Sequence, residues 1–318
     1  MDWIFKNIIA NAKFDWVLYG LLVLIFIIDM LIWKSGNPDE NLIGFYFLLI
    51  ALIIVGAKEL LNYSYKKLYF WNQSNLNSIR ELINKQQYRK ALNLTEKIKL
   101  IKPQLIEKLY LRGVANLYLK ESNHALEDFN SVEYEYSKSS GFFYHKGLAL
   151  IDSENIEKAI EYLTRSIELE KTWQNLDQRG VAYLDIGKLE EAEKDLRESI
   201  EMKEDATNTC NFAVVLHKQG QHKKAIVYYD KSISLDDTKA HVYYNRAMVH
   251  HFLKNWKLAI HDYSKAQEMG HKNNDLYLYL GYCKCENGEI ENGLIDLKKA
   301  NELGCKEAKE LIEKYDNQ

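Results

Sequence analysis

Residues 176–196 read LDQRGVAYLDIGKLEEAEKDL, and this stretch decides the fold. Gly180 and Ala192 stand twelve residues apart with Gly187 between them, and Leu196 follows Ala192 by four. Small residues on two helices let them cross closely, and a bulky side chain one turn on fills the gap beside the contact. Gly187 sits where a short connection needs the left-handed conformation, which glycine adopts at little steric cost. The stretch predicts a hairpin of two helices.

The same arrangement recurs along the chain. The second small residue returns as Ala91, Ala125, Ala159, Ala192, Ala225, Ala259 and Gly293, at intervals of 33 or 34. Twelve residues before each stands Gly113, Gly147, Gly180, Ala213, Ala247 or Gly281, with Ile79 in the first unit instead. Four residues after come Phe129, Leu163, Leu196, Tyr229, Tyr263 and Leu297, with Thr95 as the exception. A fixed period of this length implies stacked units, each burying its apolar face on its neighbours. Stacks of this kind present long surfaces, so the period points to binding and away from most enzyme folds.

The pattern resembles the tetratricopeptide repeat, a helix-turn-helix unit with Gly and Tyr on its first helix and Ala then an aromatic residue on its second. Leu176, Arg179, Gly180, Tyr183, Gly187, Ala192 and Leu196 carry the resemblance best, and residues 243–263 carry it nearly as well. It covers roughly residues 75 to 305. The closing proline of the family is supplied only by Pro103. The resemblance implies an all-α chain with a right-handed superhelix of seven hairpins at 75–305, capped by a helix at 306–318. It also implies that the first helices line an inner groove that takes a protein or peptide partner.

Arg112, Arg179 and Arg246 each precede an aspartate, Asp128, Asp195 or Asp262, by sixteen residues. The corresponding places hold Lys146 and Tyr162 in one unit, Phe212 and Tyr228 in another. This co-occurrence predicts ion pairs between the two helices of one hairpin, in preference to arginines held ready for an anion.

The front of the chain differs. Residues 16–33 read WVLYGLLVLIFIIDMLIW with Asp29 as the one charge, and 42–57 read LIGFYFLLIALIIVGA with none. At about 1.5 Å per residue each is close to a bilayer's hydrocarbon thickness. No small-residue cleavage site follows Trp33, so the first span reads as a retained anchor and not as a secretory leader. We expect a transmembrane hairpin over 14–57, after an interfacial segment at 1–13 and before a juxtamembrane linker at 58–74. Asp29 is costly at a bilayer centre, but it stands four residues from Trp33, within reach of the interface.

Lysines flank this hairpin unevenly: Lys6 and Lys13 before it, Lys34 alone in its loop beside Asp39 and Glu40, and Lys58, Lys66, Lys67 and Arg80 after it. The positive-inside rule then puts both termini and the repeats on the cytoplasmic face of a cell membrane, with the loop outside. Trp3, Phe5, Phe14 and Trp16, then Tyr63, Tyr65, Tyr69, Phe70 and Trp71, form the aromatic belts expected at the interfaces. The abundance of Lys, Ile and Asn fits a bacterial origin.

Composition narrows the function. A net charge of −3 over 318 residues, without a basic stripe, argues against nucleic acid. The cysteines, Cys210, Cys283, Cys285 and Cys305, show no disulfide framework, as suits a reducing compartment. The chain has no phosphate-cradling loop, no HExxH and no GxSxG, so no catalytic residue and no cofactor is expected. His250 and His251 diverge on a helix and His217 and His222 are split by a turn, so no metal site is expected either.

A stripe at spacings of four and three along each first helix gives Tyr110, Tyr144, Asp177, Tyr244, His251 and Tyr282 as candidate partner-binding residues, and Gln178, Asn211 and Asn245 stand beside it as amide hydrogen-bonders. Tyrosines and amides supply contact area and hydrogen bonds at modest entropic cost. Relatives that clamp a peptide's terminal carboxylate carry basic residues on this stripe. Here those places hold Tyr110, Tyr144, Asp177, Cys210, Tyr244 and Leu278, which argues against that ligand. We therefore expect a membrane-anchored scaffold that recruits a protein or peptide through the groove. The competing reading is a structural or assembly subunit of a membrane complex, its hairpin packed on other spans.

Overall fold

The computed structural model describes residues 38–98, 102–273 and 275–316. Fifteen helices and no strand occur among them. Helix α1 spans Pro38–Asn84 and α2 spans Tyr88–Lys97. Six hairpins follow: α3–α4 (Lys102–Tyr118, Ser122–Val132), α5–α6 (Ser140–Asp152, Ile156–Leu169) and α7–α8 (Trp173–Asp185, Leu189–Met202). Then come α9–α10 (Ala206–Lys218, His222–Leu235), α11–α12 (Ala240–Phe252, Trp256–Glu268) and α13–α14 (Asp275–Glu286, Ile290–Glu302). Helix α15 (Glu307–Asp316) ends the series.

The chain divides into two units, residues 1–77 and 78–318. In the first unit the described part is α1 up to residue 77, opened by Pro38, whose fixed φ and missing N–H suit a first helical position. The expected first span at 16–33, with Asp29, and the segment at 1–13 lie outside the described residues. Of the expected second span at 42–57, the helical backbone is described as part of α1. Among the described residues no helix is long and apolar enough to cross a membrane.

The second unit is a stack of hairpins, and its backbone repeats more strictly than its sequence. Gln86, Lys120, Glu154, Gly187, Gly220, Lys254 and Gly288 all adopt positive φ, from 57° to 89°, at one position of the seven interhelical turns. A left-handed residue there reverses the chain in two or three residues. Only three of the seven places hold glycine, so the turn geometry is imposed by the packing of the helices and not by glycine alone.

Close helix crossing explains the small residues. A Cβ added to Gly180 would stand 2.7 Å from Leu196 Cγ, and one added to Gly281 would stand 2.8 Å from the Gly293 carbonyl oxygen. Ala192, Ala225 and Ala259 are wholly buried, and Phe129, Leu196, Tyr229 and Tyr263 fill the space one turn on. The resulting core is a strip that runs from hairpin to hairpin, as when Leu184, Ala192, Phe212, Ala225 and Val242 pack together. Each unit thus completes its neighbour's core.

The predicted ion pairs form. Arg112 Nε, Arg179 Nε and Arg246 Nε donate to Asp128, Asp195 and Asp262 over 2.9, 2.6 and 2.7 Å, and each arginine gives a second bond from Nη2. Elsewhere Lys146 lies 4.6 Å over the Tyr162 ring, and Phe212 meets Tyr228 edge-on at 4.8 Å. In the last hairpin Leu280 replaces the arginine, and Lys284 one turn on reaches Asp296 at 2.6 Å. Buried serines link successive helices as well: Ser140 hydroxyl donates to the Ser166 carbonyl, Ser199 to that of Trp173 and Ser232 to that of Ala206.

Candidate functional site

The first helices pack on one another as well as on their partners: α3 on α5, α5 on α7, α7 on α9, α9 on α11, and α13 on α15. No second helix packs as closely on the next second helix among the described residues. Within the second unit the first helices therefore occupy the more crowded, inner side. Their stripe of candidate residues lies along it.

Burial sorts that stripe. Tyr110, Tyr144, Gln178, Asn211, Asn245, His251 and Tyr282 are partly exposed, whereas Asp177 and Tyr244 are buried. Cys210, Val114, Leu117, Leu278 and Cys285, on the same stripe, are buried too and fill the joints between units. Asp177 and Tyr244 support the face rather than stand out from it, because Asn211 of the next first helix covers Asp177, and His271 and Asn273 of the connection before α13 cover Tyr244.

One regularity binds these residues together. At three joints a residue on one first helix bonds a residue on the next, 34 or 35 positions away. Tyr110 Oη lies 3.0 Å from His145 Nδ1, Asn211 Nδ2 donates to Asp177 Oδ1 over 3.0 Å, and Asn245 Nδ2 stands 3.8 Å from Cys210 Sγ. Gln178 Nε2 donates to the other Asp177 oxygen over 3.1 Å. The two amides occupy Asp177, and no donor among the described residues reaches their own carbonyl oxygens.

Electrostatics follow from this enclosure. Burial raises Asp177 to about 6, against the lowering effect of the Asn211 and Gln178 bonds. Burial lowers His145 to about 4, so its imidazole is neutral beside Tyr110. Burial also raises the hydroxyls of Tyr110, Tyr144 and Tyr244, keeping them protonated donors at neutral pH.

At the start of this side lies an aromatic recess of about 460 Å³, lined by Tyr88, Tyr110, Tyr118, Tyr136 and His145. Tyr88 stacks on Tyr118 and Tyr110 on Tyr136, each pair 4.7 Å apart. Towards the end, His251, Trp256, Tyr279 and Tyr282 gather, with His251 and Tyr282 5.3 Å apart. Tyr88, Tyr136, Trp256 and Tyr279 escape a search confined to one stripe, since they come from loops, second helices and the adjoining stripe. The turn does bring His217 and His222 together, Nδ1 to Nδ1 at 3.0 Å, because the left-handed Gly220 folds α10 back on α9. No third ligand joins them: among the described residues no group of three or more His, Cys, Asp or Glu is placed to hold a metal. All four cysteines are free and buried.

Residues 140–172, 174–205, 209–239 and 240–269 each match the tetratricopeptide repeat family model. No curated protein matches the chain. A tetratricopeptide repeat protein from Parabacteroides merdae, solved by crystallography, shares the fold with a TM-score of 0.58 at 19% identity, covering 76% of this chain and 97% of that one. The APC/C hetero-tetramer Cut9–Hcn1 aligns with a TM-score of 0.62 at 14% identity, over 89% of this chain and 56% of that one. Residues 140–269 thus carry tetratricopeptide repeats, within a solenoid-like arrangement that is all-α among the described residues.

Proposed function

We propose that this protein is a membrane-tethered scaffold that holds an extended segment of a partner protein along the inner side of its repeats, on the cytoplasmic face of a bacterial cell membrane. The observation that carries the binding role is the ladder of Gln178, Asn211 and Asn245. Their side chains are fixed by neighbours and partly exposed. Pre-organised amides give a peptide backbone donors and acceptors without the entropy of ordering them on binding. Tyr110, Tyr144 and Tyr282 add aromatic surface beside the ladder.

Support for the tether comes from the apolar runs 16–33 and 42–57 and from the stretch that follows them. Tyr63, Tyr65, Leu68, Tyr69, Phe70 and Trp71 are all exposed on α1, close to Lys66 and Lys67. So many large apolar side chains on one short stretch are rarely left to water, whereas a bilayer interface accommodates aromatic rings and lysines together. The unequal lysine flanks support the cytoplasmic side.

A photo-crosslinking amino acid placed at Tyr144, on the inner side, should trap a partner in cells. The same probe at Val227, 62% exposed on the second helix α10, should not. Adducts from Val227 alone would refute binding along the inner side and favour a subunit packed laterally in a complex.

A further inference from the structure

Where α13 meets α15 the inner side ends in a pocket of about 420 Å³. Its walls are aromatic, from His251, Tyr279 and Tyr282, and Leu311 contributes apolar surface. Its rim carries two carboxylates, Asp275 in the first turn of α13 and Glu307 at the start of α15. No lysine or arginine lines it. Glu307 has no hydrogen-bond or ion-pair partner among the described residues. Asp275 accepts only a weak bond from the Cys305 thiol, at 3.4 Å.

These groups belong to one electrostatic environment. Tyr279 is raised first by burial and then by the negative charges of Asp275 and Glu307, so both carboxylates act on the ring between them. His251 is lowered by burial, which favours a neutral ring in the wall. One ring, that of Tyr282, already has a cation near it. Lys314 Nζ stands 5.9 Å from the Tyr282 centroid while it bonds Glu286 at 3.3 Å and lies 4.3 Å over Tyr315. Lys314 is thereby engaged by Glu286 and Tyr315 and does not line the pocket.

We propose that this pocket receives a lysine or arginine side chain of the partner segment, so that the bound peptide is basic at the position that reaches α15. The proposal rests on the inner-side binding reading above and adds the chemistry of the partner to it. A cation over aromatic faces is attracted by their negative quadrupoles, and more so once desolvated. An aliphatic stem lies against Leu311 while its charged head meets the two carboxylates. Upstream nothing opposes a basic peptide at these places, because the stripe holds no lysine or arginine at Tyr110, Tyr144, Cys210, Tyr244 or Leu278.

The test is selection of random twelve-residue peptides displayed on phage against the full chain in detergent micelles. We expect lysine or arginine to be enriched at least fivefold at one position. The enrichment should vanish with Asp275→Asn/Glu307→Gln. With Glu307→Lys, on an exposed site that tolerates the change, the same position should turn to aspartate or glutamate. Far-ultraviolet circular dichroism checks each variant's fold, and Glu307→Lys keeps the test decisive if the double variant unfolds. Selected peptides without a basic preference, or with one that the variants leave unchanged, would overturn the pocket while inner-side binding stands. If no peptide is selected, the inner-side reading falls and the pocket falls with it.

Discussion

Arg246 clasps Asp262 with two hydrogen bonds of 2.7 Å, and its third nitrogen reaches back sixteen residues to Asp230 at 2.5 Å. One side chain thus ties α11 to α12 ahead of it and to α10 behind. Asp262 is 2% exposed and depends on this partner, whereas Asp230 is 54% exposed and does not. Arg246→Met should destabilise the fold by about 3 kcal/mol, mostly by stranding the Asp262 charge. The fifth repeat supplies the control, since Phe212 and Tyr228 occupy the same two places. Arg246→Phe/Asp262→Tyr should return to within about 1 kcal/mol of the parent. Chemical denaturation of the three proteins measures both numbers, and equal losses in the single and double variants would contradict the argument.

Glycines at the helix crossings are not equivalent. A methyl at Gly180 meets the side chain of the wholly buried Leu196, which must shift within the core, but a methyl at Gly281 meets the Gly293 carbonyl and the Leu297 backbone nitrogen, which cannot shift without moving a helix. Alanine also favours the helix by about 1 kcal/mol over glycine. Gly180→Ala should therefore cost about 1 kcal/mol, the helix gain offsetting part of the overpacking against Leu196. Gly281→Ala should cost about 2 kcal/mol through overpacking. Comparison of their melting midpoints checks the order.

Asp177 predicts a pH dependence with a definite sign. Its ordinary value is 3.8 and the folded state raises it to about 6, so the folded protein holds its proton more tightly than the unfolded chain does. Its contribution is therefore most favourable below about pH 4 and declines as pH rises to about 6. The decline is of order 2–3 kcal/mol, given about 1.4 kcal/mol per unit. Asp177→Asn should raise the melting temperature at pH 7.5 and leave it nearly unchanged at pH 4. A gain of the same size at both pH values would show that the buried charge is not the cause.

Topology can be read with thiol reagents because the native cysteines are buried and silent. Ser35→Cys, in the expected outer loop, should react with a membrane-impermeant maleimide on intact cells. Tyr134→Cys, at a site 88% exposed among the repeats, should react only after lysis. The reverse pattern would place the repeats outside the cell.

The hairpins, their crossings and the three Arg–Asp pairs were legible because each depends on spacing within one unit. The links between units were not. Tyr110–His145 and Asp177–Asn211 join residues 35 and 34 apart, and nothing in the sequence marks which member of each stripe turns towards its neighbour. Lys284 was missed for a related reason: a long side chain replaces the arginine of other units from one turn further along. His217 and His222 meet because Gly220 folds the chain tightly, so counting residues across the turn misjudged their distance. Left-handed Lys120, Glu154 and Lys254 were invisible for want of glycine. Enclosure of Asp177 needed the adjoining helix in place.

The evenly spaced left-handed turns, from Gln86 to Gly288, bear on how such a protein changes over generations. A duplication or deletion that spans one interval between turns rejoins the backbone in the conformation it left, and every helix keeps a neighbour of the same kind. The span available to a partner can then grow or shrink by jumps of one hairpin, while the residues along it drift singly. Reach and selectivity are thereby inherited separately, the first through recombination and the second through point mutation.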